Sequence, residues 1–343
     1  MIGKWCAAAM AAAGILAPSY GLARPAAKGG YRVEARIAGE DGGWDYASVD
    51  PAAGRLYVAR SNAIMTVDLA DGKVTPALAK AQRAHSVLPL PGGKELLETD
   101  GETGLARFID VATGAAIAEV ATGKKPDAAF LDPATGLIAV MNAGDGSVAL
   151  INRDQHGLVG RIDVGGSLEF GVADGKGGAF VNIEDRNAIA VLDLKARRVV
   201  KTIELTGCDG PTGLGLVAGG TRLISACANN VAMVVDAKAG KVIDKLAIGA
   251  GPDAVLVDQG RGLAFIPCGE SGTLVEIDVK DAARIRVTDT IATQVGAKTG
   301  AVDPRDGRIY LPAAALAAPE PGAKRGKPVP GSFAVLVIAP GQS

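Results

Sequence analysis

The sequence predicts an all-β fold, a seven-bladed β-propeller with four antiparallel strands per blade, and three observations carry that prediction. An Asp-centred turn recurs at Asp50, Asp132, Asp174, Asp258 and Asp303, at intervals of 82, 42, 84 and 45 residues. Those intervals fit a period near 42 residues, with the landmark skipped twice. Within each period run short aliphatic and β-branched stretches bounded by Gly, Asp and Asn, which is the pattern of short strands joined by tight turns. The final repeat holds only three such stretches, and an unpaired one, "YRVEARIAG", stands before the first repeat. A four-stranded unit recurring every ~40–45 residues marks a propeller blade, whose two apolar faces are covered only by its neighbours.

Taken in order, the chain opens with Lys4, an apolar run from Trp5 to Leu16, and the small residues of Gly21-Leu22-Ala23. That is the layout of a secretory signal peptide over 1–23, cleaved near Ala23. It predicts a periplasmic or secreted protein, with 24–30 as a linker. The run is too short to span a bilayer comfortably, and no later stretch is long enough. Residues 31–38 read as the outer strand of the last blade, so that the N-terminus closes the ring and removes an open edge. Blades begin near Trp44, His85, Asp127, Glu169, Pro211, Asp253 and Lys298, and the single propeller domain runs over 31–340. In the fifth, strand a is expected at Gly213–Val217, b at Arg222–Ala226, c at Ala232–Asp236 and d at Lys241–Ile248. The last blade offers Gly300–Val302, Arg308–Leu311 and Phe333–Ile338. Between the second and third of these lies a Pro-, Ala- and Lys/Arg-rich insertion, 312–332, which reads as a flexible loop.

Charge narrows the partners. The chain carries 36 Lys+Arg against 37 Asp+Glu, and loss of Lys4 with the signal leaves 35 against 37, a net −2. Near-neutral charge and 4% aromatics argue against nucleic acid or anionic lipid as partner, and a monomer is expected. Beyond the signal, Cys208, Cys227 and Cys268 allow at most one intramolecular disulfide. Cys208 enters the fifth blade and Cys227 ends its strand b, so a Cys208–Cys227 bond is predicted. Cys227–Cys268 across blades is the rival pairing.

The strings "WDYASVDPAAGRLYVA", "GKKPDAAFLDPATG", "EFGVADGKGGAFVNIEDRN", "CDGPTGLGL", "GAGPDAVLVD" and "SGTLVEIDV" resemble the YncE-type, YVTN-repeat seven-bladed propellers of exported bacterial proteins. The similarity covers almost all of the chain beyond the signal. Tyr57-Val58-Ala59-Arg60 stands where that family's tetrapeptide lies and departs from it in the last two residues. The resemblance implies an exported propeller and brings no catalytic mechanism with it.

In a propeller, strand a lines the central channel, and the d–a and b–c connections share one face. That gathers Trp44, Asp45, Tyr46, His85, Asp127, Glu169, Asp253 and Lys298 at one mouth, with Asn182 and Glu184 farther out. Such residues can simply cap strands and hydrate a channel. Converging carboxylates also raise one another's pKa or bind a cation, and hard cations such as calcium take carboxylate and amide oxygens. Glu169 and Asn182 are the expected metal pair. Trp44 and Tyr46 offer either stacking surfaces or core packing. His85 is the only histidine at this face, which argues against a multi-histidine zinc site. "GLGLVAGG" (213–220) has no helix after it and is turn chemistry. No GxSxG elbow or HExxH helix is present. The first expectation is therefore a binding or protein-interaction scaffold for a small molecule, a peptide or a periplasmic protein. The alternatives are a calcium-dependent, lactonase-like hydrolase and, behind it, single-stranded nucleic acid binding.

Overall fold

The computed structural model describes residues 30–319 and 326–341; the expected signal peptide and residues 24–29 of the linker lie outside them. Seven four-stranded antiparallel sheets make up the described chain, six of them in sequence order. In the seventh, Arg32–Ala38 pairs with Ala334–Ala339, the two last-blade strands Ile309–Ala313 and Ala301–Val302 following inward. The N-terminal strand is thus the outer strand d of blade 7, with six residues in register against its partner. In the fifth blade the strands run Pro211–Val217, Arg222–Cys227, Val231–Asp236 and Lys241–Ala247, within two residues of expectation.

The landmark aspartates are Asx turns. Asp50 Oδ1 accepts the N–H groups of Ala52 and Ala53, Asp174 Oδ1 those of Lys176 and Gly178, and Asp258 Oδ1 that of Arg261. The side chain replaces a turn hydrogen bond, which is why Asp recurs there. The two skipped landmarks are Leu90 and Val217, both buried. There the paired glycines Gly92-Gly93 and Gly219-Gly220 make the turn at positive φ instead.

The core is not inside blades but between them. Leu97 and Phe108 of blade 2 meet Ile138 and Val140 of blade 3, and Ile224 and Val234 of blade 5 meet Ile266 and Val275 of blade 6. The seam where the ring closes has extra fastening. Tyr31 packs edge-on against Phe265 of blade 6 at 4.8 Å, and Trp44 tilts against Phe333 at 5.6 Å. Arg60, at the end of strand b of blade 1, lies 3.6 Å over the Phe333 ring and donates to the carbonyls of Glu40, Gly42 and Gly43. Burial lowers its pKa to about 10.

The predicted disulfide joins Cys208 to Cys227, with Cα atoms 5.5 Å apart, and Cys268 is a buried thiol whose pKa burial pushes up to about 11. The described ends of the 312–332 insertion are less loose than their composition suggests. They prolong the b–c hairpin of blade 7: Leu316 bridges Pro328, Ala317 N–H donates to Lys327 O, and Val329 N–H donates to Ala315 O. Gly331 N–H then donates to Asp41 Oδ2, tying the insertion to the closing seam.

Strand a gives the channel two unlike ends. Its first ladder pairs are Trp44↔Arg60, Ala84↔Asp100, Pro126↔Asn142, Leu168↔Ile183 and Pro211↔Cys227, with an isolated bridge Pro252↔Cys268 in blade 6. The next residue in each is Asp45, His85, Asp127, Glu169, Thr212 or Asp253, and a register shift follows it in blades 1 to 5. Such bulges re-aim a side chain. Four positions farther on stand Val49, Pro89, Leu131, Ala173, Leu216 and Val257, and in blade 7 the same spacing joins Lys298 to Val302. All fourteen of these residues are partly exposed.

Candidate functional site

The polar end is held in place by stitches from one blade to the next. Thr99 Oγ1 donates to Asp127 O, Thr212 Oγ1 to Pro252 O, and Thr299 Oγ1 to Asp45 O at 2.7 Å. Asn182 Nδ2 donates to the carbonyls of Thr212 and Gly213, while its Oδ1 accepts from Ser225 Oγ. These satisfy strand-a carbonyls that have no further strand to pair with, so the backbone under the ring is fixed.

His85 turns its Nδ1 inward. That nitrogen lies 2.6 Å from Asp45 Oδ2, to which it donates, and 3.8 Å from Asp127 Oδ1. The other edge of the ring lies over Gly101, where a Cβ would come within 2.6 Å of Nε2. Only glycine leaves room for the imidazole there. On the far side, Lys298 Nζ pairs with Asp253. Glu169 completes the circle, and Glu184, in the 3-10 turn Glu184–Arg186 just outside it, adds negative charge.

Too many carboxyls share this space for all to ionise. Burial, reinforced by Asp127, Asp253, Glu184 and Asp45, pushes Glu169 up to about 9. Burial and then Asp45 push Asp127 up to about 7, against the opposing pull of His85. Asp127 Oδ1 is itself buried without a hydrogen-bond partner. For His85 burial is the largest effect and lowers the pKa, but the Asp45 hydrogen bond and the Asp127 and Asp45 charges together outweigh it and the net shift is upward. At neutral pH the ring therefore holds a protonated Glu169 and an Asp127 close to the middle of its titration, beside an imidazole whose pKa is shifted upward.

Beneath the ring the channel is closed. Tyr46, from blade 1, reaches across to Phe170 of blade 4, with ring centroids 5.2 Å apart, and joins the hydrophobic cluster of blades 3 and 4. Burial, then Asp127, Asp253, Asp45 and Glu169, hold its hydroxyl well above the usual tyrosine pKa. Tyr46 is therefore a plug, and Trp44 is seam packing against Phe333.

Of the sequence candidates, Asp45, His85, Asp127, Glu169, Asp253 and Lys298 converge. Of the expected Glu169–Asn182 metal pair, Asn182 directs its amide to the next blade, and burial holds the Glu169 carboxyl well above the usual carboxylate range. The potential ligand atoms that do lie together, all within 4.8 Å of one another, belong to Asp45, His85 and Asp127. Thr212, Thr99 and Thr299 were not legible as positioning residues, since their partners are carbonyls in neighbouring repeats. No helix among the described residues is long and apolar enough to cross a membrane.

No family model matches the chain, and no curated protein sequence does. Solved structures do. Hydrazine synthase of Kuenenia stuttgartiensis superposes with a TM-score of 0.68 at 14% identity, over 78% of this chain and 92% of that one. A chain from the crystal structure of the mitotic checkpoint complex superposes with a TM-score of 0.71 at 14% identity, over 88% of this chain and 96% of that one. At this identity the likeness is one of fold, and it places the chain among seven-bladed β-propellers.

Proposed function

We propose that this protein is an exported ligand-binding propeller, of the YVTN-repeat kind its motifs resemble, that captures a positively charged group at its polar mouth. The group belongs to a small molecule, or to a side chain of a peptide or partner protein. The observation that carries the reading is the ring itself: equivalent positions of different blades bring four carboxyls together over a closed channel, with the pKa values of Glu169 and Asp127 raised by burial and then by neighbouring carboxylates. An incoming cation lets those groups ionise, so binding recovers the electrostatic energy of a crowded site. The multi-protein setting of the mitotic checkpoint chain is compatible with a scaffold role.

The test is titration calorimetry with n-butylammonium as probe. Binding should release protons and tighten from pH 6 to pH 8, because fewer protons remain to be displaced. Asp127→Asn with Glu169→Gln should weaken it by at least about tenfold, roughly 1.4 kcal/mol. A site that ignores the probe, or variants that bind it as the parent does, would defeat the reading.

A second reading, a calcium-dependent hydrolase of the lactonase kind, rests on Asp45, His85 and Asp127, whose ligand atoms lie together. Asp45 and Asp127 would supply oxygen ligands, and a bound cation would polarise a substrate carbonyl. A rise in melting temperature with calcium, lost in Asp45→Asn, together with lactone hydrolysis, would favour it over simple binding. Export itself is tested by N-terminal sequencing of protein recovered from the periplasm, with residue 24 expected first.

A further inference from the structure

The opposite end of the channel is lined mainly by aliphatic, proline and glycine residues in place of the ionisable ring. Val49, Pro89, Leu131, Ala173, Val257 and Val302, from six different blades, open onto two contiguous cavities of about 830 and 500 Å³ that share Leu88, Leu131 and Leu256. The smaller cavity reaches inward to Tyr46 and Phe170, the plug below the polar ring, so the space is a funnel with a floor. Its walls hold no Lys, Arg, His or Glu. The two acids among them, Asp50 and Asp174, spend an oxygen on the N–H groups of their own turns. Ser48, also in the wall, donates its hydroxyl to Val87 O.

We infer that this funnel is a second binding site, separate from the polar mouth, and that it takes an uncharged apolar small molecule or chain, an aromatic ring or a short acyl group, inserted end-on. The shape decides between a small ligand and a protein surface, since a concave space of this volume ending on an aromatic floor suits a ligand that buries most of its surface. The charge decides between classes of ligand. An anion entering the funnel would give up its hydration and find no counter-ion in the wall, and a cation would meet only Asp50 and Asp174 at the rim turns, each already accepting N–H groups there. An apolar group loses nothing polar and covers a ring of partly exposed aliphatic side chains, which gains ~25 cal/mol per Å² removed from water. Because the plug separates the two ends, the inference stands or falls independently of cation capture at the mouth.

Fluorescence titration of the full chain with the neutral probe N-phenyl-1-naphthylamine tests it. One saturable site with enhanced emission is expected. Leu131→Asp and Val257→Asp should each weaken the probe by at least about tenfold, while Val295→Asp, which alters an exposed apolar residue away from the funnel walls, should leave it unchanged. Should an Asp variant fail to fold, Leu131→Trp keeps the wall apolar and fills the space, and it too should block the probe. Absence of saturable binding, parent-like affinity in folded Leu131→Asp or Leu131→Trp, or loss of binding in Val295→Asp would each overturn the assignment.

Discussion

At the scale of single residues, Glu169 is displaced far from its ordinary chemistry, and its pH dependence has a definite sign. Its pKa rises from 4.5 to about 9 on folding, chiefly through burial. The folded state therefore binds a proton that the unfolded chain gives up. The contribution of Glu169 to stability should be fully present below about pH 4.5 and should decline as pH rises toward 9. Glu169→Gln mimics the protonated form and keeps the shape. It should match the parent in urea at pH 4 and exceed it by about 1–3 kcal/mol at pH 8. Equal midpoints at pH 8 would mean that the carboxyl is not held neutral. The polar identity of this position was readable in the sequence, and so was that of His85 and Asp127. The Tyr46–Phe170 contact was not, because it joins strands of blades on opposite sides of the channel and only ring geometry brings them together.

Turns and strands are the elements that the sequence rendered best. Asp50, Asp174 and Asp258 could be found because an Asx turn is local chemistry, complete within a few residues of the carboxylate. Blades 2 and 5 lack that signal, and Leu90 and Val217 take its place because the inter-blade core claims those positions. The insertion illustrates the converse. Its Pro- and Ala-rich composition is loop-like, whereas its described ends are tied by Leu316–Pro328 pairing and by Asp41, far away in sequence. The disulfide belongs to this scale too. It spans 19 residues between the entry to blade 5 and the end of that blade's strand b. Cys208→Ser with Cys227→Ser should cost roughly 3 kcal/mol in the chain-entropy account, read as a lower urea midpoint. Reductant should shift the parent to the same value and leave the double variant unmoved. A parent indifferent to reductant would count against the bond.

For the whole molecule, ring closure is the term that matters, since each apolar cluster needs the blade on its other side. Deleting residues through Ala38 strips six paired residues from blade 7 and removes Tyr31 from Phe265. At about 1 kcal/mol per hydrogen bond the loss is roughly 3–6 kcal/mol. Limited proteolysis of the deletion variant should then cut first within Ala334–Ala339, the strand left as an edge. Parent-like resistance there would show that the ring holds without its N-terminal strand. The same pairing has a mechanical consequence. Arg32 lies opposite Ala339, so the start of the first strand and the finish of the last sit side by side at one end of an antiparallel pair. Tension applied between the two ends would load those hydrogen bonds one at a time, as in a zipper, rather than all together in shear. A clasp that resists heat and denaturant as a unit would yield to a small pull, and stretched in an optical trap the disc should come undone at blade 7 before any other blade gives way.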